Sequence, residues 1–245
     1  SGEGYKEIKV LSDTLAAAAR DLGKAEGYRR ELLANVSHDL RTPLTLIGGY
    51  AEAMRDLPGE NNAENAQIII DEARRLAEFV NDMLEISKLQ SGAQEPSLSR
   101  FSLTDMLASM TSTRAELLRV EGYDISFEKS DEDIYIEADE KMISQAFYNI
   151  LINAVNYTGS DKKVTVRQVR LKDSVRIEVS DTGNGISEQE LPHIWERYYK
   201  SDKSHNRAVK GSGLGLSIVR SIAGLHAGSC GAGSEPGKGS TFGIE

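Results

Sequence analysis

Hydrophobic spacing in this chain changes period once, near residue 95, and that single change forces a two-part molecule. From Tyr5 to Gln90 the apolar residues recur at helical spacing. From Phe101 onward they alternate as half-buried strands require, interrupted by glycine clusters. The joint SGAQEPSLS (Ser91 to Ser99) has the composition of a linker. A length of 245 residues accommodates two modest domains, against about 100–200 residues for each. A net charge of −9 argues against a nucleic-acid partner, which would call for a basic surface. No apolar run approaches the roughly 18–20 residues that span a bilayer. The opening SGEGYKEIKV lacks the apolar core of a signal peptide. The single cysteine, Cys230, excludes an intrachain disulfide and fits a reducing compartment.

Within the helical part, DLPGENN (Asp56 to Asn62) is the one strong break, so two helices are expected over about 5–55 and 62–90. Ile69, Ala73, Leu76, Val80 and Met83 step by four and three in turn, the seam of a coiled coil or bundle. Leu32, Val36, Leu40, Leu44, Ile47 and Met54 supply a matching stripe on the first helix. One hairpin cannot cover both seams, whereas two copies can, as a four-helix bundle. In the second part, residues 123–128, 134–138, 163–171 and 174–180 are expected strands, and 103–120, 139–157 and 213–225 expected helices. Only Lys172 and Asp173 join two of the strands, which is too short for a crossover helix and requires an antiparallel hairpin. A mixed sandwich with helices over one face follows, not a doubly wound sheet.

The peptide SHDLRTPL (Ser37 to Leu44) places His38 two residues from both Val36 and Leu40, off the apolar stripe. Asp39 adjoins it and Thr42 stands one turn further on. Pro43 cannot donate to the carbonyl of Asp39, so a bend and an unpaired polar group are expected there. Such a pair is compatible with a plain solvated His-Asp contact. It is equally compatible with a nucleophilic imidazole whose Nδ1–H is held by a carboxylate, leaving the lone pair on Nε2.

Three further segments carry chemistry. NILINAVNY places Asn149 and Asn153 four apart on one helix face, where amide oxygens can meet a Mg²⁺ that keeps water and phosphate ligands. DTGNGIS (Asp181 to Ser187) follows a strand; its glycines allow close approach to a flat ligand, and Asp181 offers a carboxylate to an exocyclic amine. GSGLGLSIV (Gly211 to Val219) opens a helix, whose free N–H groups and dipole favour phosphate. Between these two lies a basic loop with Arg197, Lys200, Lys203, Arg207 and Lys210, expected to act as a lid.

Taken in this order, the motifs make the chain resemble the sensor histidine kinases of two-component signalling. SHDLRTPL is similar to their H box, NILINAVNY to the N box, DTGNGI and GSGLGL to the glycine boxes, IWERYYK (Ile194 to Lys200) to the F box, and GKGSTF (Gly237 to Phe242) to the final glycine motif. The resemblance implies an α+β protein. A helical hairpin forming a dimeric four-helix bundle would precede an α/β sandwich ATP-binding domain of Bergerat (GHKL) type. It divides the chain into 1–27, the end of a HAMP-like signalling helix; 28–95, the dimerisation and phosphotransfer domain; and 96–245, the catalytic domain. It further implies ATP and Mg²⁺ as cofactors and a homodimer. The partner would be a response regulator receiver domain, and the whole would be the cytoplasmic portion of a cell-membrane protein whose sensor lies further N-terminal.

By the same resemblance His38 accepts the γ-phosphoryl group, Asp39 orients it, and Thr42 supports the reverse, phosphatase reaction. Asn149, Asn153, Asn156, Tyr157, Asp181, Gly183, Gly185, Ile186, Arg197, Tyr198, Lys200, Gly211, Gly213, Leu214, Gly215, Leu216 and Thr241 would bind nucleotide, with Asn153 on the metal and Asn149 nearby. The chain departs from the pattern in having Asn156 where relatives carry a lysine, and Trp195 for a phenylalanine. AGSCGAGS (Ala227 to Ser234) is poor in strand formers and is expected as a weak edge strand containing Cys230. The last strand is expected to be short. Chaperone ATPases, topoisomerases and serine kinases share the ATP-binding fold but lack the histidine hairpin. A nucleotide-binding scaffold without kinase activity is the remaining alternative.

Overall fold

The computed structural model describes residues 36–90, 95–130, 132–199 and 213–245. The expectations for the leading helix (1–27), for Leu32, and for the loop carrying Lys200, Lys203, Arg207, Lys210 and Gly211 lie outside them. The chain forms two compact units, Ser1–Glu78 and Phe79–Glu245.

Helix α1, in the first unit, is continuous over 36–56, and a short turn around Pro58-Gly59 separates it from α2, Ala63–Gln90, whose residues from Phe79 onward belong to the second unit. Gly59 takes φ +88, a left-handed angle that explains glycine there. The Asn62 side chain accepts from Asn65 N–H at 2.8 Å, capping the new helix. α1 runs through Pro43 without ending, and Thr42 Oγ1 donates to the carbonyl of His38 at 3.3 Å. Leu44 and Ile70 are exposed, 54% and 43%, and further along α2 so are Val80 and Leu84, 41% and 55%. An apolar stripe left open along both helices is what a second copy would cover.

Beyond α2, the second unit continues with strand β1, Ser99–Ser102, inside the stretch expected as linker and loop. It pairs antiparallel with β3, Tyr135–Ala138, as a separate two-stranded sheet. Four residues contributed by a distant partner leave little periodicity to detect, which is why β1 was not anticipated. Helix α3, Leu103–Leu118, is capped by Ser102, whose hydroxyl accepts from Asp105 N–H. β2, Asp124–Glu128, follows; then α4, Glu140–Tyr157, is capped by the Asp139 carboxylate accepting from Lys141 and Met142 N–H. β4, Lys163–Arg170, and β5, Val175–Asp181, form the expected hairpin. After α5, Gly215–Leu225, the chain ends in β6, Cys230–Glu235, and β7, Gly239–Ile244.

The main sheet has order β2-β4-β5-β7-β6, parallel only between β2 and β4. Helices and sheet enclose a core of Phe147, Ile150, Leu151, Ile218, Ile222, Val164, Val179 and Phe242, all at or below 2% exposure. The apolar positions of α4 recur at three and four, and those of β4 and β5 alternate, so both patterns point into this one layer. β6 is the expected edge strand, with Cys230 half-buried, and β7 pairs on both sides, with β5 and with β6.

Candidate functional site

Two groups of side chains matter, one on each unit. On α1, His38 Nδ1 lies 3.2 Å from Asp39 Oδ1 while the imidazole is 80% exposed. With Nδ1–H donated to the carboxylate, the lone pair sits on Nε2, on the open side of the ring. Thr42 stands one turn on, its hydroxyl bonded to the carbonyl of His38.

On the second unit the polar centre is Asp181, the last residue of β5, at 6% exposure. Its Oδ1 accepts from Gly183 N–H at 2.8 Å and from Ser240 N–H at 3.3 Å. Its Oδ2 is buried with no partner among the described residues. Burial pushes the carboxyl above the ordinary aspartate range, and the two amides only partly oppose this. A buried acceptor left open beside two satisfied bonds is the signature of a site that expects a donor from outside.

The glycines around it cannot carry side chains. A Cβ on Gly183 would meet the carbonyl of Tyr157 at 1.9 Å, and one on Gly185, at φ +68, would meet that of Glu235 at 2.1 Å. The loop after Asp181 therefore lies flush against the end of α4 and against the β6–β7 hairpin. Gly213, at φ +71, packs on Tyr198, which itself has φ +60 and donates its N–H to Gly213 O at 2.9 Å. α5 begins at Gly215 with no side-chain cap, and a helix N-terminus of this kind suits an anion. Asn149 faces this point: a Cβ on Gly215 would lie 3.6 Å from its Oδ1, and its Nδ2 is buried without a partner among the described residues. Asn153 is half-buried on the same helix face, one turn on, and Asn156 and Tyr157 are exposed at the helix end.

This geometry bears on two of the expected nucleotide residues, Thr241 and Leu214. Thr241 pairs directly with Ser180, their hydroxyls 2.8 Å apart, so both point to the sheet face away from Asp181. Ser240, one residue earlier and buried, is the residue that contacts Asp181. Alternation along a strand admits only one of the two neighbours to a given face. Leu214 is fully buried and its side chain belongs to the core, so only its backbone can approach a ligand. Ile186 and Leu216 are half-buried and Arg197 exposed, and Trp195 packs edge-on against Phe242 at 6.3 Å. A sequence signal for Ser240 did exist: SEPGKGS folds about Pro236-Gly237, bringing Ser234 and Ser240 opposite each other.

A nucleoside phosphate fits this set: an open acceptor for a base amine, a glycine-lined approach and a helix N-terminus without a side-chain cap. Among the described residues there is no cluster of three or more His, Cys, Asp or Glu able to hold a metal. Amide oxygens of Asn149 and Asn153 suit a Mg²⁺ whose other ligands are water and phosphate.

Comparison with known proteins agrees with this layout. Residues 28–92 match the His Kinase A (phospho-acceptor) domain, and residues 138–245 match the histidine kinase-, DNA gyrase B- and HSP90-like ATPase family. The sensor-like histidine kinase SenX3 of Mycobacterium tuberculosis is 31% identical over 227 residues, covering 91% of this chain and 54% of that protein. The phosphate regulon sensor protein PhoR of Pseudomonas aeruginosa is 32% identical over 220 residues, covering 89% and 49%. The chain thus spans about half the length of these relatives. Among solved structures, the histidine kinase ThkA in complex with the response regulator protein TrrA superposes with TM-score 0.71 at 28% identity, over 87% of this chain and 60% of that one. Full-length ShkA in complex with AMPPNP gives 0.65 at 28% identity, over 87% and 45%.

Proposed function

The chain belongs to the sensor histidine kinases of two-component signalling, and from that premise we propose that it phosphorylates its own His38 from ATP and passes the phosphoryl group to an aspartate of a receiver domain. The observation that carries the nucleotide half is the buried, unpaired Oδ2 of Asp181. The observation that carries the acceptor half is His38, bonded through Nδ1 to Asp39 and exposed on its other side.

In the proposed reaction the Nε2 lone pair forms the new N–P bond as the bond between the γ-phosphorus and the β–γ bridging oxygen breaks, and ADP leaves with that electron pair. Asp39 accepts the Nδ1–H bond, which keeps that proton on the ring, and its negative charge balances the positive charge that grows there. Asp181 binds the adenine amine, Gly183 and Gly185 let the base lie close to the backbone, and the N-terminus of α5 receives phosphate oxygens. Asn153, with Asn149 nearby, would hold Mg²⁺, which neutralises phosphate charge when bound. Asn156 leaves the N-box helix without a cation at its end, a role that falls to Lys200 and the basic loop.

Two copies joined along the open stripes of α1 and α2 form the active species. The segment of α1 after His38, with half-buried Tyr50, is the surface offered to the receiver domain. Among the described residues no helix is long and apolar enough to cross a membrane. Anchoring through further N-terminal sequence rests on the kinship with sensor proteins. Incubation with γ-labelled ATP tests the central claim. Acid-labile, base-stable label on the wild type that is lost in His38→Gln is expected. Nucleotide binding without any label would leave a non-catalytic scaffold.

A further inference from the structure

The β6–β7 hairpin carries a residue that the nucleotide motifs leave out. Ser234 Oγ accepts from Ile186 N–H at 2.7 Å, donates to the carbonyl of Gly239 at 2.9 Å, and lies 2.9 Å from Ser240 Oγ. A hydroxyl has one proton and two lone pairs. The Gly239 carbonyl can only accept, so it takes the Ser234 proton, and Ser240 must then donate its own to Ser234. Every valence of this one oxygen is committed.

Each of its partners bears on Asp181. Ile186 ends the loop that starts at Gly183, whose N–H holds Asp181 Oδ1. Ser240 supplies the second N–H on that oxygen. At Gly239 a Cβ would lie 2.0 Å from the carbonyl of Asp181. The hairpin and the loop also share a backbone bond, Gly237 N–H to Asn184 O at 2.8 Å. That bond fixes the tip of the loop, whereas Ser234 fixes its exit and Ser240 together.

We infer that Ser234 is a positioning residue for the nucleotide: its saturated hydroxyl holds the 183–186 loop and Ser240 in the arrangement that leaves Asp181 Oδ2 open for the base amine. This rests on the nucleotide reading above. A strand hydroxyl serving the hairpin alone would move stability and leave the nucleotide untouched, and a kinetic split separates the two roles.

The test uses the whole chain as wild type, Ser234→Ala and Ser234→Thr, with AMPPNP binding by calorimetry, autophosphorylation kinetics and thermal unfolding. Losing the hydroxyl should weaken AMPPNP binding and raise KM for ATP about tenfold, the scale of one hydrogen bond, with kcat within about twofold. Ser234→Thr keeps the oxygen and should return both constants to within about twofold of wild type. Wild type that fails to bind AMPPNP overturns the nucleotide reading itself. Wild type that binds while folded Ser234→Ala binds equally well overturns only the role of Ser234. So does a Ser234→Ala protein whose kcat and KM fail together with its unfolding midpoint, or a folded Ser234→Thr protein that rescues nothing.

Discussion

Replacing Asp181 with asparagine should weaken nucleotide binding and at the same time stabilise the nucleotide-free protein. The substitution keeps Oδ1, so the bonds from Gly183 and Ser240 survive. What changes is Oδ2, which is buried and without a protein partner. Without nucleotide, a carboxylate there carries charge in a poorly hydrated place, and relieving an unsatisfied charged group is worth about 1–3 kcal/mol. Asparagine's own unpaired N–H₂ takes some of that back, so a net gain of about 1 kcal/mol is expected, or about 2–4 °C in unfolding midpoint. With nucleotide, the charge-assisted bond to the base amine is lost, costing about 1.5–3 kcal/mol, or roughly 10- to 150-fold in Kd. The pH dependence has a definite sign. Burial raises the Asp181 pKa in the folded state, so its stability contribution is fully present below the unfolded value and is lost as pH rises through the folded one. The advantage of Asp181→Asn should therefore be largest at neutral pH and shrink as the medium is acidified toward the ordinary aspartate pKa. Thermal unfolding of both proteins with and without AMPPNP, across that pH range, reads both effects. Asparagine protein that binds AMPPNP within twofold of wild type, or that unfolds at a lower temperature at neutral pH, refutes the reasoning.

Three other substitutions separate the parts of the machine. His38→Gln should abolish acid-labile phosphorylation yet leave AMPPNP affinity within about twofold, since no nucleotide contact is lost; residual label would move the acceptor elsewhere. Thr42→Ala should keep most autokinase activity while phosphatase activity on the phosphorylated receiver falls about 10²-fold, the range of groups that orient a reacting water. Because the Thr42 hydroxyl also bonds the His38 carbonyl, loss of both activities together with helicity would make it a helix residue only. Val80→Asp places a charge on an exposed apolar position of α2, and sedimentation should show a dimer turning to monomer at micromolar concentration; an unchanged dimer would put the interface elsewhere.

Much of this protein is legible in its sequence because the signals are local. The heptad steps of α2, the hydrophobic face of α4 and the two-residue joint between β4 and β5 each follow from spacing within a few residues. The glycines at 183, 185 and 213 are legible too, since close backbone approach excludes a side chain at 183 and 185 and a left-handed φ favours glycine at 213. His38 and its carboxylate neighbour were visible for the same reason, being adjacent on one helix.

What the sequence could not decide depends on partners far along the chain. Strand β1 exists only because β3 supplies its hydrogen bonds, and four residues alone have no preference strong enough to reveal it. Whether Ser240 or Thr241 faces Asp181 is a matter of register between β5 and β7, and a slip of one residue would exchange them. The open oxygen of Asp181 is likewise a tertiary property: Gly183, Ser240 and the surrounding core satisfy one side of the carboxylate and bury the other. Spacing along the chain determined which residues could form a helix, a hairpin or a glycine-lined turn. Long-range strand pairing and burial decided which backbone N–H of β7 reaches that carboxylate, and which of its oxygens remains free.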